Sequence, residues 1–217
     1  MTLPIRPVRV KICGLTRPED VRAACELGVD ALGFNFWPRS RRYLDPRSAI
    51  PVLSELSPLT AGVGVFVQTP FRRMYATAYQ LGLRGVQWVG DDADFENSYP
   101  FSVVLAVRVR DGADLIAAKR EVERAKSLGC TISALLIDGF AAGEMGGTGH
   151  KAPWEMLRDF DAGVPVILAG GLTPENVAEA IREVRPMAVD VASGVESAPG
   201  VKDAEKMRRF IDAARSA

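Results

Sequence analysis

The feature that most constrains the fold is a regular alternation of short apolar runs with longer segments of helical periodicity. The runs are rich in Val, Ile, Leu and Ala and are apolar on both faces, which is typical of buried parallel strands. We count eight predicted strands: Val8–Cys13, Ala31–Phe36, Ala61–Val67, Gly85–Val89, Ser102–Val107, Ser133–Asp138, Pro165–Ala169 and Ala188–Ala192. The predicted helices include Pro18–Leu27, Pro46–Leu56, Phe71–Leu81, Ala113–Leu128, Pro174–Val184 and Asp203–Ala214.

Three of these helices end in a Leu-Gly pair just before the next strand, at Gly28, Gly82 and Gly129. Glycine is favoured at this place because it adopts the left-handed conformation that closes a helix. The recurring order of helix, Leu-Gly and strand predicts tandem βα units. The fourth crossover is the weakest unit, because residues 90–100 are short and polar for a helix.

Eight βα units form either a closed barrel or an open doubly wound sheet. The unusual residues follow strands 1, 2, 6, 7 and 8, whereas a nucleotide-binding sheet concentrates glycines after its first strand. Neither a G-x-G-x-x-G nor a P-loop motif is present. We therefore predict an α/β protein with a single (β/α)8 TIM barrel, formed as one catalytic domain by residues 1–217.

Charge and composition exclude several classes of function. Lys plus Arg and Asp plus Glu number 27 each, so no overall field attracts nucleic acid or an anionic membrane. No apolar run is long enough to span a bilayer or to serve as a signal peptide, and we expect a cytoplasmic protein. Three cysteines without a CxxC pair and a single histidine argue against disulfides, a metal site and a Ser-His triad.

Two loops at neighbouring strand ends contain small residues suited to an anion. Gly170 and Gly171 follow strand 7, and Ser193 and Gly194 follow strand 8. Backbone N–H groups of such loops approach an oxyanion closely, and barrels often hold phosphate at these two positions. Each loop alone is equally well explained as an ordinary tight turn. Their joint placement favours a phosphate site.

Cys13 ends strand 1 and Asp138 ends strand 6, where barrel enzymes carry their catalytic groups. A thiolate at Cys13 can act as a base, although free cysteine is commonly just a small buried residue. A carboxylate at the end of an apolar run is costly unless it is paired or functional, so Asp138 is either a catalytic group or a cap. Asp190, within strand 8, either binds sugar hydroxyls or pairs with a buried cation.

The segments after strands 2 and 6 offer further candidates. One of Arg39, Arg41 and Arg42 could clamp a substrate carboxylate, although runs of charge more often lie on a solvated surface. The glycine-rich segment 139–149 is typical of a mobile loop over a site, and also of a plain connection. His150, which follows it, is expected to be a polar surface residue.

Taken in order, several blocks resemble phosphoribosylanthranilate isomerase, a family of tryptophan biosynthesis. These blocks are KICGLT at 11–16, GFNFWPRSRRYL at 33–44, VGVFV at 63–67, ALLID at 134–138, GGTG at 146–149, ILAGGLTPENV at 167–177 and DVASGVESAPGVKD at 190–203. The resemblance implies an Amadori rearrangement of N-(5-phosphoribosyl)anthranilate with no metal or organic cofactor. It further implies that Asp138 is the general acid, which opens the ring, and that Cys13 removes the C2 proton.

The same resemblance assigns the groups that bind the phosphosugar substrate. Arg42 would hold the anthranilate carboxylate, Asp190 a sugar hydroxyl, and the loops at 170–171 and 193–194 the phosphate. The chain would act on this small molecule as a monomer or a homodimer.

This sequence differs from the usual family pattern in three places. Val89 stands where the family usually has His, in Gln-Leu-His-Gly after strand 4. Ser40-Arg41-Arg42 replaces Ser-Pro-Arg, which leaves the choice between the two arginines open. Ala152-Pro153-Trp154 replaces Phe-Asp-Trp at the start of the sixth helix.

Two alternatives remain from the sequence. The first is another phosphosugar barrel, such as the related isomerase of histidine biosynthesis or a decarboxylase. The histidine-pathway isomerase typically has aspartate at the end of strand 1, where this chain has Cys13. The second is a non-catalytic phosphosugar-binding barrel, which would need neither Cys13 nor Asp138.

Overall fold

Eight parallel strands close into a barrel in the computed structural model, which describes residues 8–90, 100–139 and 154–217. The strands follow one another around the barrel in chain order, and β8 pairs with β1 to close it. They are β1 Arg9–Cys13, β2 Ala31–Asn35, β3 Ala61–Val67, β4 Gly85–Val89, β5 Ser102–Val109, β6 Ile132–Gly139, β7 Val166–Ala169 and β8 Ala188–Val191. The predicted TIM barrel is confirmed, and the predicted strand ends are correct to within two residues.

Helices cover the outside of the barrel. They are α1 Pro18–Glu26, α2 Ile50–Leu53, α3 Phe71–Gln80, α4 Gly112–Ser127, α5 Trp154–Leu157, α6 Val177–Val184 and α7 Ala204–Arg215. A short antiparallel hairpin, β9 Glu196–Ala198 and β10 Val201–Lys202, lies between β8 and α7. The weak fourth crossover falls largely on residues 91–99, which lie outside the described residues.

Two predicted helices differ from the structure. The segment predicted as one helix over Pro46–Leu56 is a 3-10 turn, Pro46–Ser48, followed by the short α2. Pro51 has no N–H to donate to a carbonyl of the preceding turn, so a continuous α-helix cannot pass through it. The predicted helix at Pro174 begins only at Val177, because the N–H of Thr173 donates to the side chain of Asn176 and closes a turn there.

Alternation along the strands decides which side chains enter the barrel. In β6, Leu135 and Ile137 are fully buried among residues that pack under the helices, whereas Ala134 and Leu136 belong to a separate inner cluster. Side chains two residues apart share a face of a strand. Asp138 is therefore also on the inward face of β6, at the carboxyl end of the barrel.

All three predicted Leu-Gly helix ends are confirmed. Gly28, Gly82 and Gly129 have φ angles of +74°, +63° and +79°. Their backbone N–H groups donate to carbonyls of the last helical turn and end each helix just before the next strand. Among the described residues, no helix is both long and apolar enough to cross a membrane.

We predict that Gly82→Ala destabilises the protein by about 1–2 kcal/mol, the cost of a left-handed backbone for a residue with a Cβ. A Cβ at Gly82 would meet no atom within 4 Å, so conformational strain is the only expected cost. Gly112→Ala is the matched control, because this glycine also has open space but no positive φ. Urea unfolding should show a lower free energy of unfolding for Gly82→Ala and no decrease for Gly112→Ala. Equal losses would contradict the prediction.

Candidate active site

A buried polar cluster lies inside the barrel, below its carboxyl end. The Nζ of Lys11 donates to Oδ1 of Asp190 at 2.9 Å and to Oε1 of Gln87 at 3.0 Å. All three side chains are buried. Lys11 is on β1 and Gln87 on β4, two strands that are not neighbours, so this contact crosses the inside of the barrel.

Cys13 lies directly above this cluster. It is the last residue of β1 and shares the inward face with Lys11, two residues before it. A Cβ at Gly33, its partner on β2, would lie 2.7 Å from Sγ of Cys13 and 3.1 Å from Nζ of Lys11. Glycine at this position thus gives room for both groups. Burial raises the pKa of the Cys13 thiol, while the positive charge of Lys11 opposes this rise.

Asp138 approaches the same mouth from β6. It pairs in register with Arg108 on β5 and with Ala169 on β7. Burial raises the pKa of the Asp138 carboxyl; the positive charge of Arg108 opposes the rise, and the negative charge of Asp190 adds to it. The environment therefore favours the protonated acid more than water does.

The glycine loop after β7 passes very close to Asp138. A Cβ at Gly170, whose φ is +89°, would lie 2.6 Å from Oδ1 of Asp138 and 2.6 Å from the N of Gly139. A larger residue would therefore displace either the carboxyl or the loop. The loop is fixed from the other side by Asn176, whose Nδ2 donates to the carbonyl of Gly171 at 2.9 Å.

The loop after β8 packs directly against the loop after β7. Ser193 opens a 3-10 turn that ends at Val195, and a Cβ on Gly194 would overlap the carbonyl oxygen of Leu172. The four residues predicted to bind phosphate therefore lie in two touching loops at the carboxyl ends of β7 and β8. This is the arrangement that the sequence predicted.

An ion network extends from the mouth of the barrel toward the β9–β10 hairpin. Arg42 makes a bidentate pair with Glu196, with Nε and Nη2 each 2.7 Å from a carboxylate oxygen. Lys202 donates to the same carboxylate at 2.8 Å, to the carbonyl of Cys13 at 2.7 Å and to the carbonyl of Ala192 at 3.0 Å. The hairpin is thereby tied to the ends of both β1 and β8.

The pKa shifts in this network follow from burial and pairing. Burial raises the pKa of Glu196, but the hydrogen bonds and charges of Arg42 and Lys202 together lower it below its usual range. Burial lowers the pKa of Lys202 despite the opposing effect of Glu196. A carboxylate between two cations thus remains ionised at neutral pH.

Of the three candidate arginines after β2, Arg42 is the one that lies near Cys13. Arg42 is half-buried, and its charge is felt by Cys13, whereas Arg39 and Arg41 are exposed. Val89, which stands where the family usually has His, ends β4 on the face of Gln87. The segment 140–149, His150 and the changed residues Ala152 and Pro153 lie outside the described residues.

Sequence reasoning missed four residues of this site. They are Lys11, Gln87, Glu196 and Lys202. Lys11 gave a usable signal, because a charged residue two positions before Cys13 interrupts an apolar strand on the same face. Glu196 and Lys202 gave none, since their role depends on a hairpin that lies far from Arg42 in sequence. Among the described residues, no group of three or more His, Cys, Asp or Glu side chains could hold a metal ion.

The chain matches one family over nearly its whole length. A family model described as N-(5'phosphoribosyl)anthranilate (PRA) isomerase matches residues 10–213. The N-(5'-phosphoribosyl)anthranilate isomerase of Myxococcus xanthus (strain DK1622) is 46% identical over 211 residues, which cover 96% of this chain and 97% of that protein.

Solved structures agree with this match. The phosphoribosyl anthranilate isomerase of Thermotoga maritima superposes with a TM-score of 0.84 at 35% identity, covering 97% of this chain and 100% of that one. A phosphoribosyl anthranilate isomerase in complex with reduced 1-(o-carboxyphenylamino)-1-deoxyribulose 5-phosphate superposes with a TM-score of 0.80, at the same identity and coverage.

We predict that Glu196→Gln destabilises the protein by about 3 kcal/mol at neutral pH, because it leaves the buried Lys202 without its counter-ion. The folded-state pKa of Glu196 is lowered, so its contribution is complete above the ordinary value of 4.5 and is lost as the pH falls through the lower, folded value. We therefore expect the difference in free energy of unfolding between the parent and Glu196→Gln, measured by chemical unfolding between pH 7 and pH 3, to become smaller in acid.

The matched control is Glu55→Gln, which removes a bidentate pair with Arg22 at the surface. Water already screens this pair, so its loss should change stability little at any pH. A Glu196 variant as stable as the Glu55 variant would contradict the role given to the buried network.

Proposed function

Because the chain belongs to the N-(5'-phosphoribosyl)anthranilate isomerase family, we propose that it catalyses the Amadori rearrangement of N-(5'-phosphoribosyl)anthranilate to 1-(2-carboxyphenylamino)-1-deoxyribulose 5-phosphate. The observation that carries the proposal is the placement of Cys13 and Asp138. Both lie at the carboxyl end of the barrel, on β1 and β6, beside the two loops that are proposed to hold the phosphate. A thiol and a carboxyl on opposite sides of the barrel mouth can reach two different positions of one bound sugar.

In the first step, Asp138 acts as general acid. It gives its proton to the furanose ring oxygen as the bond between that oxygen and C1 breaks, and the lone pair of the anthranilate nitrogen forms the C=N bond of a Schiff base. The raised pKa of Asp138 suits this task, because the acid must hold its proton until the ring opens.

In the second step, Cys13 acts as general base through its thiolate. It removes the C2 proton, the C–H electron pair becomes the C1=C2 bond, and the C=N pair returns to nitrogen to give the enolamine. Tautomerisation of the enolamine to the ketone yields the product. At this point Cys13 is a thiol and Asp138 a carboxylate; Cys13 then releases its proton to water and Asp138 takes one up from water, which restores the starting forms.

The other predicted residues serve to bind the substrate. Arg42 binds the anthranilate carboxylate, Asp190 contacts a sugar hydroxyl, and the loops at 170–171 and 193–194 hold the phosphate through their N–H groups. Arg42 has a nitrogen, Nη1, that is not part of the bidentate pair with Glu196, and this nitrogen supports the assignment. Arg42 can therefore bind the substrate while it is held by the protein.

The remaining parts of the proposal concern the protein as a whole. We propose that residues 1–217 form one catalytic domain, which works in tryptophan biosynthesis in the cytoplasm, as a monomer or a homodimer. It binds the phosphosugar substrate and neither nucleic acid nor a membrane, and the mechanism needs neither a metal nor an organic cofactor, since acid and base come from the chain.

We predict that Cys13→Ala and Asp138→Asn each lower kcat by at least about 100-fold, the usual worth of a positioned acid or base. The measurement is the loss of fluorescence of freshly generated N-(5'-phosphoribosyl)anthranilate. Both variants should still bind the reduced product analogue, because neither removes a proposed phosphate or carboxylate contact.

Either of two results would contradict this proposal. A folded parent protein that leaves the substrate unchanged would leave only a binding function. An active parent with equally active variants would support the isomerase activity and exclude Cys13 and Asp138 as its acid–base pair. Lys119→Met, at a partly exposed position of α4 on the outside of the barrel, is the control that should retain the parent rate.

We further predict that Gly194→Ala weakens binding of the product analogue by about tenfold or more. The new Cβ would overlap the carbonyl oxygen of Leu172 and would push the loop after β8 away from the loop after β7. N–H groups that no longer converge on one point lose most of their affinity for phosphate. Isothermal titration should show the loss. Gly163→Ala, at a left-handed glycine with open space around it, should bind the analogue as the parent does.

A further inference from the structure

We infer that Lys11 is a positioning residue for the isomerisation, which stabilises the thiolate form of Cys13 by pointing its one unused N–H bond at the sulfur. This inference rests on the proposed function, because it explains how a buried cysteine can serve as the base. It assigns a role to a side chain that the sequence analysis left without one.

The ammonium group of Lys11 has one more hydrogen-bond donor than its two partners use. A lysine ammonium carries three N–H donors. In Lys11, one donates to Asp190 and one to Gln87, both on strands other than its own. The third is left for the side of the barrel where Cys13 lies. Since the side chain of Lys11 is only 7% exposed, water is a poor alternative partner.

The ammonium group of Lys11 and the sulfur of Cys13 lie near each other. Lys11 and Cys13 share the inward face of β1, and both border the space beside Gly33, where a Cβ would lie 3.1 Å from Nζ and 2.7 Å from Sγ. No side chain at residue 33 separates the ammonium from the sulfur. Both groups thus border the same small space, and opposite charges that are close together in a buried setting attract strongly.

Positive charges outnumber negative charges around Cys13. Four charged side chains face it: Lys11 on β1, Asp190 on β8, Lys202 on β10 and Arg42 after β2. Glu196 lies between Arg42 and Lys202. Three cations thus surround the sulfur together with two carboxylates. The excess of one positive charge is what a thiolate would neutralise.

The other two cations near Cys13 differ from Lys11 in how their donors are used. All three donors of Lys202 are used, by Glu196 and by the carbonyls of Cys13 and Ala192. Arg42 is held in its bidentate pair with Glu196, and its remaining nitrogen, Nη1, is proposed to bind the substrate carboxylate. Lys11 is therefore the cation near Cys13 whose remaining donor has no other proposed partner. Burial raises the pKa of the Cys13 thiol, and Lys11 is the largest of the influences that oppose this rise.

The test titrates the Cys13 thiol directly, in a Cys25→Ser, Cys130→Ala background that leaves a single cysteine. Thiolate absorbance near 240 nm and the rate of alkylation by iodoacetamide are followed between pH 6 and pH 11. Lys11→Met should move the midpoint up by about one pH unit or more, and should slow alkylation at neutral pH about tenfold. Lys11→Arg, which keeps the charge, should recover part of the shift.

A second variant keeps the test decisive if Lys11→Met fails to fold. Lys11→Met combined with Asp190→Asn removes the ammonium and the carboxylate together, so no unpaired charge remains in the barrel. Its midpoint should still lie above that of the parent. Unchanged midpoints in every folded Lys11→Met variant would overturn the inference.

Activity supplies an independent readout. The limb of the pH profile of kcat/KM that reports Cys13 should move with the thiol midpoint in Lys11→Met and return toward the parent in Lys11→Arg. The thiol titration needs no substrate, so a parent inert toward N-(5'-phosphoribosyl)anthranilate would refute the proposed function and leave the titration result standing. An active parent whose Lys11→Met variant shows no shift would refute the role of Lys11 alone.

Discussion

The ion pair between Lys11 and Asp190 is the interaction on which the site depends. It joins the first strand to the last inside the barrel, 179 residues apart in sequence, and it holds Lys11 beneath Cys13. A charged pair in such a place costs desolvation free energy that apolar side chains would avoid, so stability alone does not explain it. Its value lies in chemistry, because a fixed ammonium in a dry interior acts on its neighbours far more strongly than one in water.

Two clusters of charged side chains lie at the mouth of the barrel, and each holds a different part of the site. The inner one, formed by Lys11, Gln87 and Asp190, lies under the proposed base. The outer one, in which Glu196 bridges Arg42 and Lys202, holds the arginine proposed to bind the substrate. In both, each charge has a partner of opposite sign, as buried charges require. The proposed acid, Asp138, lies across the opening, where burial raises its pKa and so favours the protonated form.

The sequence was sufficient for the fold because eight strand patterns and the helix patterns between most of them reinforce one another. It placed Cys13, Asp138 and the two glycine loops correctly because strand ends converge in any closed parallel barrel. It missed the break at Pro51, where local chemistry interrupts a helical pattern. It also missed Glu196, since nothing near that residue in sequence indicates a bond to Arg42, 154 positions away. Such long-range pairs are set by tertiary geometry, which periodicity does not encode.

The hydrogen bond from Lys202 to the carbonyl of Cys13 spans 189 positions of the chain. β1 precedes its edge partner β8 and its hydrogen-bond partner Lys202 by nearly the whole barrel, so both are synthesised long after it. Until they are made, β1 has one unpaired edge and Cys13 lacks the positive charge of Lys202. Assembly of the barrel and creation of the catalytic environment are one event, completed only when the two ends of the fold meet.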